Sequence, residues 1–366
     1  MGTDALNRSA RHALGRLARA RMGNDVVRWE DSPACATSTC RCPAARRGQN
    51  RTVGRLPQPI TRIRLSRRVF QPSCPASLAA AIGTGVMTAA DRGRVIVTGA
   101  STGIGEATAL HLHQLGFSVL AGVGREQDAE RLCNHGLTPF QLDVTVPAQL
   151  AAARAEIGDG PLAGIVNNAG IVRGGPLEFL PVNDLREQLE VSVVGALAVT
   201  QAFFAGLRAG RGRIVNIGSI QGRVAAPMIG PYAAAKFALE ALTDSLRREL
   251  TPEGIDVIVI EPGGVKTPGL GKANQWVEQL RNDGPPELAS RYGAMIATMI
   301  DTTTKIDRQT GIEATAVAKV IGKALTVHRP RTRYLVGRDA KVQATMAKIL
   351  PDRVMDRLIL RALKDD

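Results

Sequence analysis

Three side chains stand in an order that suggests proton chemistry: Ser219, then Tyr232 thirteen residues on, then Lys236 four residues further. Positions i and i+4 share a helix face, so Tyr232-Ala-Ala-Ala-Lys236 can present a phenol and an ammonium to one cavity. A free phenol ionises near pH 10, leaving only about 0.1% phenolate at neutrality. A neighbouring cation stabilises the anion, and about three units of depression correspond to about 4 kcal/mol. Such a phenol can take a proton from an alcohol oxygen, or return one to a carbonyl, while Ser219 hydrogen-bonds that oxygen. Alone, a Tyr-x-x-x-Lys pair is a frequent accident, a packed aromatic beside a snorkelling lysine.

A second feature gives the pair meaning. Thr98-Gly99-Ala100-Ser101-Thr102-Gly103-Ile104-Gly105 follows an apolar, β-branched run and opens a helical pattern. Glycines there let the backbone approach a pyrophosphate, and the helix amino terminus supplies free N–H groups and positive potential. The bland alternative is a tight strand-to-helix turn with no ligand. A dinucleotide site usually places an acid about twenty positions on, against the adenosine ribose hydroxyls. Here that stretch reads Ala121-Gly122-Val123-Gly124-Arg125, without an acid. The missing carboxylate removes repulsion toward a 2′-phosphate, and Arg125 could pair with one, which favours NADP over NAD. Arg125 as a solvated helix-start residue is the competing assignment.

These side chains need a scaffold. From Arg94 onward, apolar runs rich in β-branched residues alternate with longer helical patterns, the signature of a parallel sheet with crossover helices. Strands are predicted at Arg94–Thr98, Phe117–Gly122, Pro139–Leu142, Leu162–Asn167, Arg213–Ile217, Asp256–Ile260 and Arg333–Val336. Helices are predicted at Gly105–Leu115, Glu126–Asn134, Pro147–Ile157, Asn183–Arg208, Pro231–Leu250 and Glu313–Val327. The expected fold is α/β, a doubly wound parallel seven-stranded sheet of Rossmann type over 87–338. The segment Lys266–Thr310 has no strong strand signal and falls at the carboxyl edge of the sheet, where ligands bind. Two amphipathic helices, Asp339–Ile349 and Asp352–Leu363, end the chain; they could cover the substrate mouth, form a subunit contact or touch lipid.

The formal charge of +14 is concentrated outside that domain. Residues 1–86 hold fifteen arginines, no lysine and four acids, a net of +11, so the remainder is close to balanced. This extension lacks sustained periodicity, and the expectation is disorder. Its first residues also resemble an organelle transit peptide, a nucleic-acid arm or a membrane-surface helix, and Met87 is a further candidate for the natural start. With the basicity confined there, the domain itself is not expected to bind nucleic acid. No apolar run is long enough for a spanning helix. Cys133 is the single cysteine after residue 86, which suits a reducing, cytoplasmic setting and offers no disulfide framework. His12, His111, His113, His135 and His328 form no metal-spaced cluster, so no metal is expected.

The ordered set Thr98…Gly105, Asn167-Asn168-Ala169-Gly170, Ser219, Tyr232…Lys236 and Pro262-Gly263 resembles the short-chain dehydrogenase/reductase family over roughly Asp91–Gly337. Within it, Val119–Arg125 and Tyr334-Leu335-Val336-Gly337-Arg338-Asp339 look most like members acting on steroids and retinoids. The resemblance implies NADP or NAD as cofactor, with Gly99, Ser101, Gly103, Ile104 and Gly105 lining the pyrophosphate and adenosine. It places Asp143 at the adenine amino group, Val144 beside the ring, and Asn168, Ala169 and Gly170 beneath the riboses. Lys236 would also bind the nicotinamide ribose, and Val265 and Thr267, after Pro262-Gly263, the carboxamide. Asn167 fits better as a strand-pinning residue. Asp143 could instead cap the next helix, and Pro262-Gly263 could be a plain turn.

One position departs from the family: Ser192 stands where an Asn usually holds a water linking the lysine to solvent. If the main-chain carbonyl is the chief ligand of that water, Ser192 preserves the relay; if the amide must kink the helix, activity falls. The leading expectation is an alcohol/carbonyl oxidoreductase, with a catalytically weak dinucleotide-binding regulator as the alternative. Leu270, Trp276, Leu280, Met295, Ile296, Met299 and Ile300 in the expected lid suggest a lipophilic substrate such as a steroid, a retinoid, or a long-chain alcohol or ketone. Ordinary lid packing explains them equally well. The resemblance also implies a homodimer or homotetramer built on the two long helices, and peripheral membrane contact stays open.

Overall fold

A computed structural model of the chain describes residues 92–362. The readings made on 1–86, on a start at Met87 and on Leu363 lie outside the described residues. The first half alternates strand and helix: β1 (Arg94–Val97), α1 (Gly103–Gln114), β2 (Ser118–Val123), α2 (Glu126–Cys133), β3 (Thr138–Gln141), α3 (Pro147–Ile157) and β4 (Leu162–Asn167). Next come α4 (Val182–Leu189), α5 (Gly195–Ala202), α6 (Phe204–Gly210), β5 (Arg213–Ile217), α7 (Gly230–Leu250) and β6 (Val257–Pro262). The chain continues through β7 (Val265–Lys266), α8 (Pro268–Asp283), α9 (Pro286–Lys305), β8 (Ile312–Glu313), α10 (Ala314–Thr326), β9 (Arg333–Val336), α11 (Arg338–Ile349) and α12 (Asp352–Ala362).

The main sheet runs β3-β2-β1-β4-β5-β6-β9, and every pairing in it is parallel. All seven expected strands are present, with ends displaced by a residue or two. Strand β1 shows why apolar runs rather than alternation mark this fold. Val95 and Val97 enter the core on one face, against Ala109 and Leu112 of α1 and Ile321 and Leu325 of α10. Ile96 enters the other, with Ala153 and Ile157 of α3, Val199 of α5, and Phe203 and Leu207. A sheet covered on both faces needs apolar side chains at every position. The order reverses between β1 and β4, and the loops after both open at the carboxyl edge, where a crevice forms.

Two expectations need correction. Asn183–Arg208 is not one helix. A π-helical turn at Glu190–Val194 joins α4 to α5, and α6 departs at 59° after Phe203. Periodicity misses such breaks because the apolar spacing continues while the backbone does not: Val199, Phe203 and Leu207 all reach the core across the bend. Among the described residues no single helix is long and apolar enough to cross a membrane, although this bent pair has the length and composition. Cys133, read as offering no disulfide framework, is disulfide-bonded. Pairing depends on which Cα atoms approach in space, whereas the sequence only counts cysteines by segment.

Candidate active site

The glycine turn after β1 is built around Asn168, at the end of β4. Its Nδ2 donates to the carbonyls of Thr98 and Gly99, each at 3.0 Å. Thr98 Oγ1 accepts from the backbone N–H groups of Asn168 and Ala169, also at 3.0 Å. Gly99 adopts φ +62°, and a Cβ there would meet Ala169 Cα at 2.9 Å. Gly105 allows α1 to start against the turn, since a Cβ would fall 2.1 Å from the Gly99 carbonyl oxygen. Thr102 precedes the helix without capping it through its side chain, so the first N–H groups of α1 stay available to an anion. Thr267, at the start of α8, packs against Gly103. A dinucleotide fits this cradle: backbone donors for the pyrophosphate, with Ala169, Gly170 and Thr267 as walls.

The adenosine corner differs in detail from expectation. Arg125 is paired with Asp128 at 2.9 Å. Arg131 of α2, absent from the sequence reading, reaches back to Glu106 and to the Ser101 carbonyl of the glycine turn. It is a surface-facing residue in an ordinary helix, and nothing local marks it. Asp143 Oδ1 accepts from the backbone N–H and hydroxyl of Thr145, so Asp143 closes a local turn rather than capping α3, whose N-cap is Val146. Val144 is buried and lies against Gly195 of α5. Asn167 pins strands as expected, donating to Thr200 Oγ1 at 3.0 Å and Asn216 Oδ1 at 2.8 Å.

Ser219, Tyr232 and Lys236 converge at the carboxyl end of β5. Ser219 begins a short 3-10 turn, Ile220–Gly222, its Oγ accepting from Gln221 N and its hydroxyl bonded to the Tyr232 phenol. Tyr232 lies in the first turn of α7, where Pro231 starts the helix without losing a needed N–H. Lys236 is buried, and its ammonium donates to the Ile217 carbonyl at 2.7 Å and sits 5.5 Å from the Tyr232 ring centre. The electrostatics run against the simple expectation of an acidified phenol. Burial raises the Tyr232 pKa, and the Ser219 bond offsets this only in part. Burial likewise lowers Lys236 to about 8, with Glu240 working in the opposite sense. Desolvation penalises both charged forms, and one of the ammonium donors is engaged by the Ile217 carbonyl.

Ser192 lies in the π-helical turn and is buried, its Oγ accepting from Gln188 Nε2 at 2.9 Å. The same Nε2 donates to the Ile171 carbonyl, while Gln188 Oε1 accepts from Arg173 N. Gln188, fully buried, therefore ties the Ile171–Arg173 segment, just after Gly170, to the helix, a role its polar type at a helical position did not disclose. The local widening that a helix needs here is made with Ser in place.

Pro262 ends β6, and Gly263 and Gly264 are held from outside. Gly263 N donates to the Val336 carbonyl, and Gly264 N to Asp339 Oδ2 at 2.7 Å. This anchors the stretch leading to Val265 and Thr267, so Pro262-Gly263 is more than a free turn.

Behind Lys236 lies a set of charges that the sequence pattern did not single out: Glu240, Glu261, Arg223 and Arg333. Glu261 is fully buried and accepts from Arg223 Nε at 3.0 Å and Nη2 at 2.8 Å. Arg333 of β9 donates to Glu240 Oε2 at 3.1 Å and to Asp244 at 2.8 Å. An acid closing the apolar run Val257-Ile258-Val259-Ile260-Glu261 was the available clue.

Helices α8 and α9 occupy the segment expected as a lid. Met228, Val277, Leu288, Ile296 and Met299 form its core, with Phe179, Trp276, Leu280 and Met295 packed against it. Most of the expected apolar lid residues therefore pack together, while Leu270 lies outside this cluster. Helix α11 sets Ala340 and Ala344 against Ile220, directly over the turn that Ser219 begins.

Comparison with known proteins agrees with this geometry. The family profile described as short chain dehydrogenase matches residues 93–278. Retinol dehydrogenase 5 of Mus musculus is 35% identical over 280 residues, covering 72% of this chain and 87% of that protein. The NADPH-dependent 3-dehydrocapnine reductase of Ornithobacterium rhinotracheale is 32% identical, covering 74% and 96%. A short chain dehydrogenase from Burkholderia cenocepacia, solved in complex with NADP, superposes with a TM-score of 0.57 at 26% identity, covering 75% of this chain and 99% of that one.

Proposed function

The chain belongs to the short-chain dehydrogenase family, and from that premise we propose that it interconverts an alcohol and its carbonyl with a nicotinamide cofactor, preferring NADP. The observation that carries this is the meeting of Ser219, Tyr232 and Lys236 at one strand end, across the crevice from the glycine turn. Bound in the cradle, the cofactor would accept or supply the hydride. Everything else falls to the chain's own groups. Ser219 holds the substrate oxygen. Tyr232 takes the hydroxyl proton in oxidation and returns it in reduction. Because burial opposes ionisation of the phenol, the ammonium of Lys236 is the local charge that must make the phenolate accessible. A water path from Lys236 to solvent past the π-helical turn at Ser192 would keep the proton relay working. Arg125 and Arg131 at the adenosine corner support the NADP preference, and one NADP-bound neighbour and one NADPH-dependent relative are consistent with it.

The apolar lid favours a lipophilic substrate of the retinoid, steroid or long-chain class, in keeping with the retinol dehydrogenase among its relatives. Val182, Val194 and Phe237, exposed on α4, the π-helical turn and α7, are the faces on which a homo-oligomer would close. The test is cofactor reduction by the full-length protein across all-trans-retinol, estradiol and dodecanol, beside Tyr232→Phe. Turnover that falls about a hundredfold to ten-thousandfold in the variant, with cofactor affinity retained, is the expected result. Cofactor binding with no turnover of any compound, in either direction, would instead mark a regulator.

A further inference from the structure

Glu240 follows Lys236 by one turn on the same face of α7 and points into the space between that helix and β6, where Glu261 is buried. Three cations and one further acid face the two carboxylates. Arg223 comes from the 3-10 turn after Ser219, Arg333 from β9, and Lys236 from α7 itself; Asp244, also on α7, shares Arg333 and is paired with Arg247. Each carboxylate keeps one buried oxygen, Glu240 Oε1 and Glu261 Oε2, that no N–H or hydroxyl donor in the described residues reaches. The two side chains are within hydrogen-bonding reach of each other. Ionised carboxylates only accept, so a hydrogen bond between them requires that one carry a proton. Gly218 and Gly222 pack directly on Glu240, where a Cβ at either would stand 3.2 Å from its side chain.

We propose that Glu240 and Glu261 form a proton-sharing carboxyl pair that keeps Lys236 charged, making them positioning residues of the proton-transfer step rather than a purely structural ion cluster. The proposal rests on the reading of Tyr232 and Lys236 given above. The proton sits between facing oxygens as Glu240 O–H donating to Glu261; on release this O–H bond breaks, its electron pair stays on Glu240, and the proton passes to solvent water. Burial, together with the charge of Glu261, holds Glu240 protonated up to about pH 7. As pH rises past that point the pair gains a full negative charge, one helical turn from an ammonium that burial lowers to about 8 even with Glu240 opposing the shift. The charge of Glu240 opposes the burial that discharges Lys236, and so extends upward the pH range in which the ammonium stands beside Tyr232. The pair also clamps Arg223, which closes the turn carrying Ser219.

The asymmetry between directions makes this testable. Oxidation needs the phenolate; reduction needs the phenol. Glu240→Gln removes the ionisable acid while keeping its shape. In the full-length protein with NADP and whichever of all-trans-retinol, estradiol and dodecanol it oxidises fastest, the rising limb of kcat against pH should move up by about one unit. Oxidation near pH 7 should then fall about tenfold, with reduction of the matching carbonyl changed less than about threefold. Glu240→Asp should restore the limb. Independently of turnover, infrared spectra of the full-length protein should show a protonated-carboxyl carbonyl band that vanishes between about pH 6 and about pH 8, and that is missing in Glu240→Gln and in Glu261→Gln. If one variant fails to fold, the other carries both measurements. Equal loss in both directions with an unmoved limb, or a band that persists in both variants, overturns the proposal. Full activity of Tyr232→Phe would sink the proton-transfer reading instead, and the infrared band would still decide whether the pair shares a proton.

Discussion

The two halves of the crevice are made from different materials. The half after β1 is built from backbone: carbonyls of Thr98 and Gly99 held by one amide, glycines where side chains would collide, and an uncapped helix start. The half between β5, β6 and α7 is built from buried charge: Lys236, Glu240 and Glu261, steadied by Arg223 and Arg333. A dinucleotide offers a fixed anionic group, so fixed dipoles suffice to receive it. Proton transfer needs a group that changes charge during the reaction, and only coupled ionisable groups can tune that change. The first region should therefore fail by steric blockage and the second by loss of charge balance.

The largest expected effect is electrostatic. Arg223→Met leaves Glu261 fully buried with Arg333 as its remaining cation and should cost about 3 kcal/mol, read as a shift in the urea unfolding midpoint. An unchanged midpoint would mean that the charged half tolerates imbalance and that the contrast between regions is false. Next comes steric blockage. Gly105→Ala drives a methyl group into the Gly99 carbonyl and the Asn168 amide, and should destabilise by about 2 kcal/mol while weakening cofactor binding in calorimetry. Gly124→Ala, which meets nothing within 4 Å, should stay within about 0.5 kcal/mol of the parent. If both behave alike, the cradle is softer than its close contacts imply. The smallest effect sharpens the comparison at the one place where the backbone half uses charge. Arg131→Ala should reduce the preference for NADP over NAD by about tenfold, roughly 1.4 kcal/mol, measured as the ratio of dissociation constants. An unaltered ratio would assign the 2′-phosphate contact to Arg125 alone or to neither.

Legibility in the sequence follows the same division. Every strand of the main sheet was readable because a doubly covered parallel sheet demands unbroken apolar runs, and β1 and β6 display them. The helix over 183–208 was misjudged because a π-helical turn and a 59° bend preserve apolar spacing. In the site, Gly99, Gly105, Ser219, Tyr232 and Lys236 were visible because their roles require one residue type at one spacing. Arg131, Gln188, Arg223 and Arg333 were not, because each acts on a partner many positions away and its own neighbourhood is unremarkable. Asp143 was seen, yet its turn-forming contact with Thr145 depends on local geometry that spacing does not encode.

By itself the sequence determined the layered parallel architecture, the phosphate-approaching turn and the serine, tyrosine and lysine of the site, since periodicity and residue type are local properties of a chain. Only the tertiary structure decided the ionisation balance around those residues. Burial pushes the phenol up and the ammonium down, and a carboxyl pair drawn from a helix and a strand stands behind the lysine. Desolvation and charge coupling depend on distances through space, and those exist only once the chain has folded.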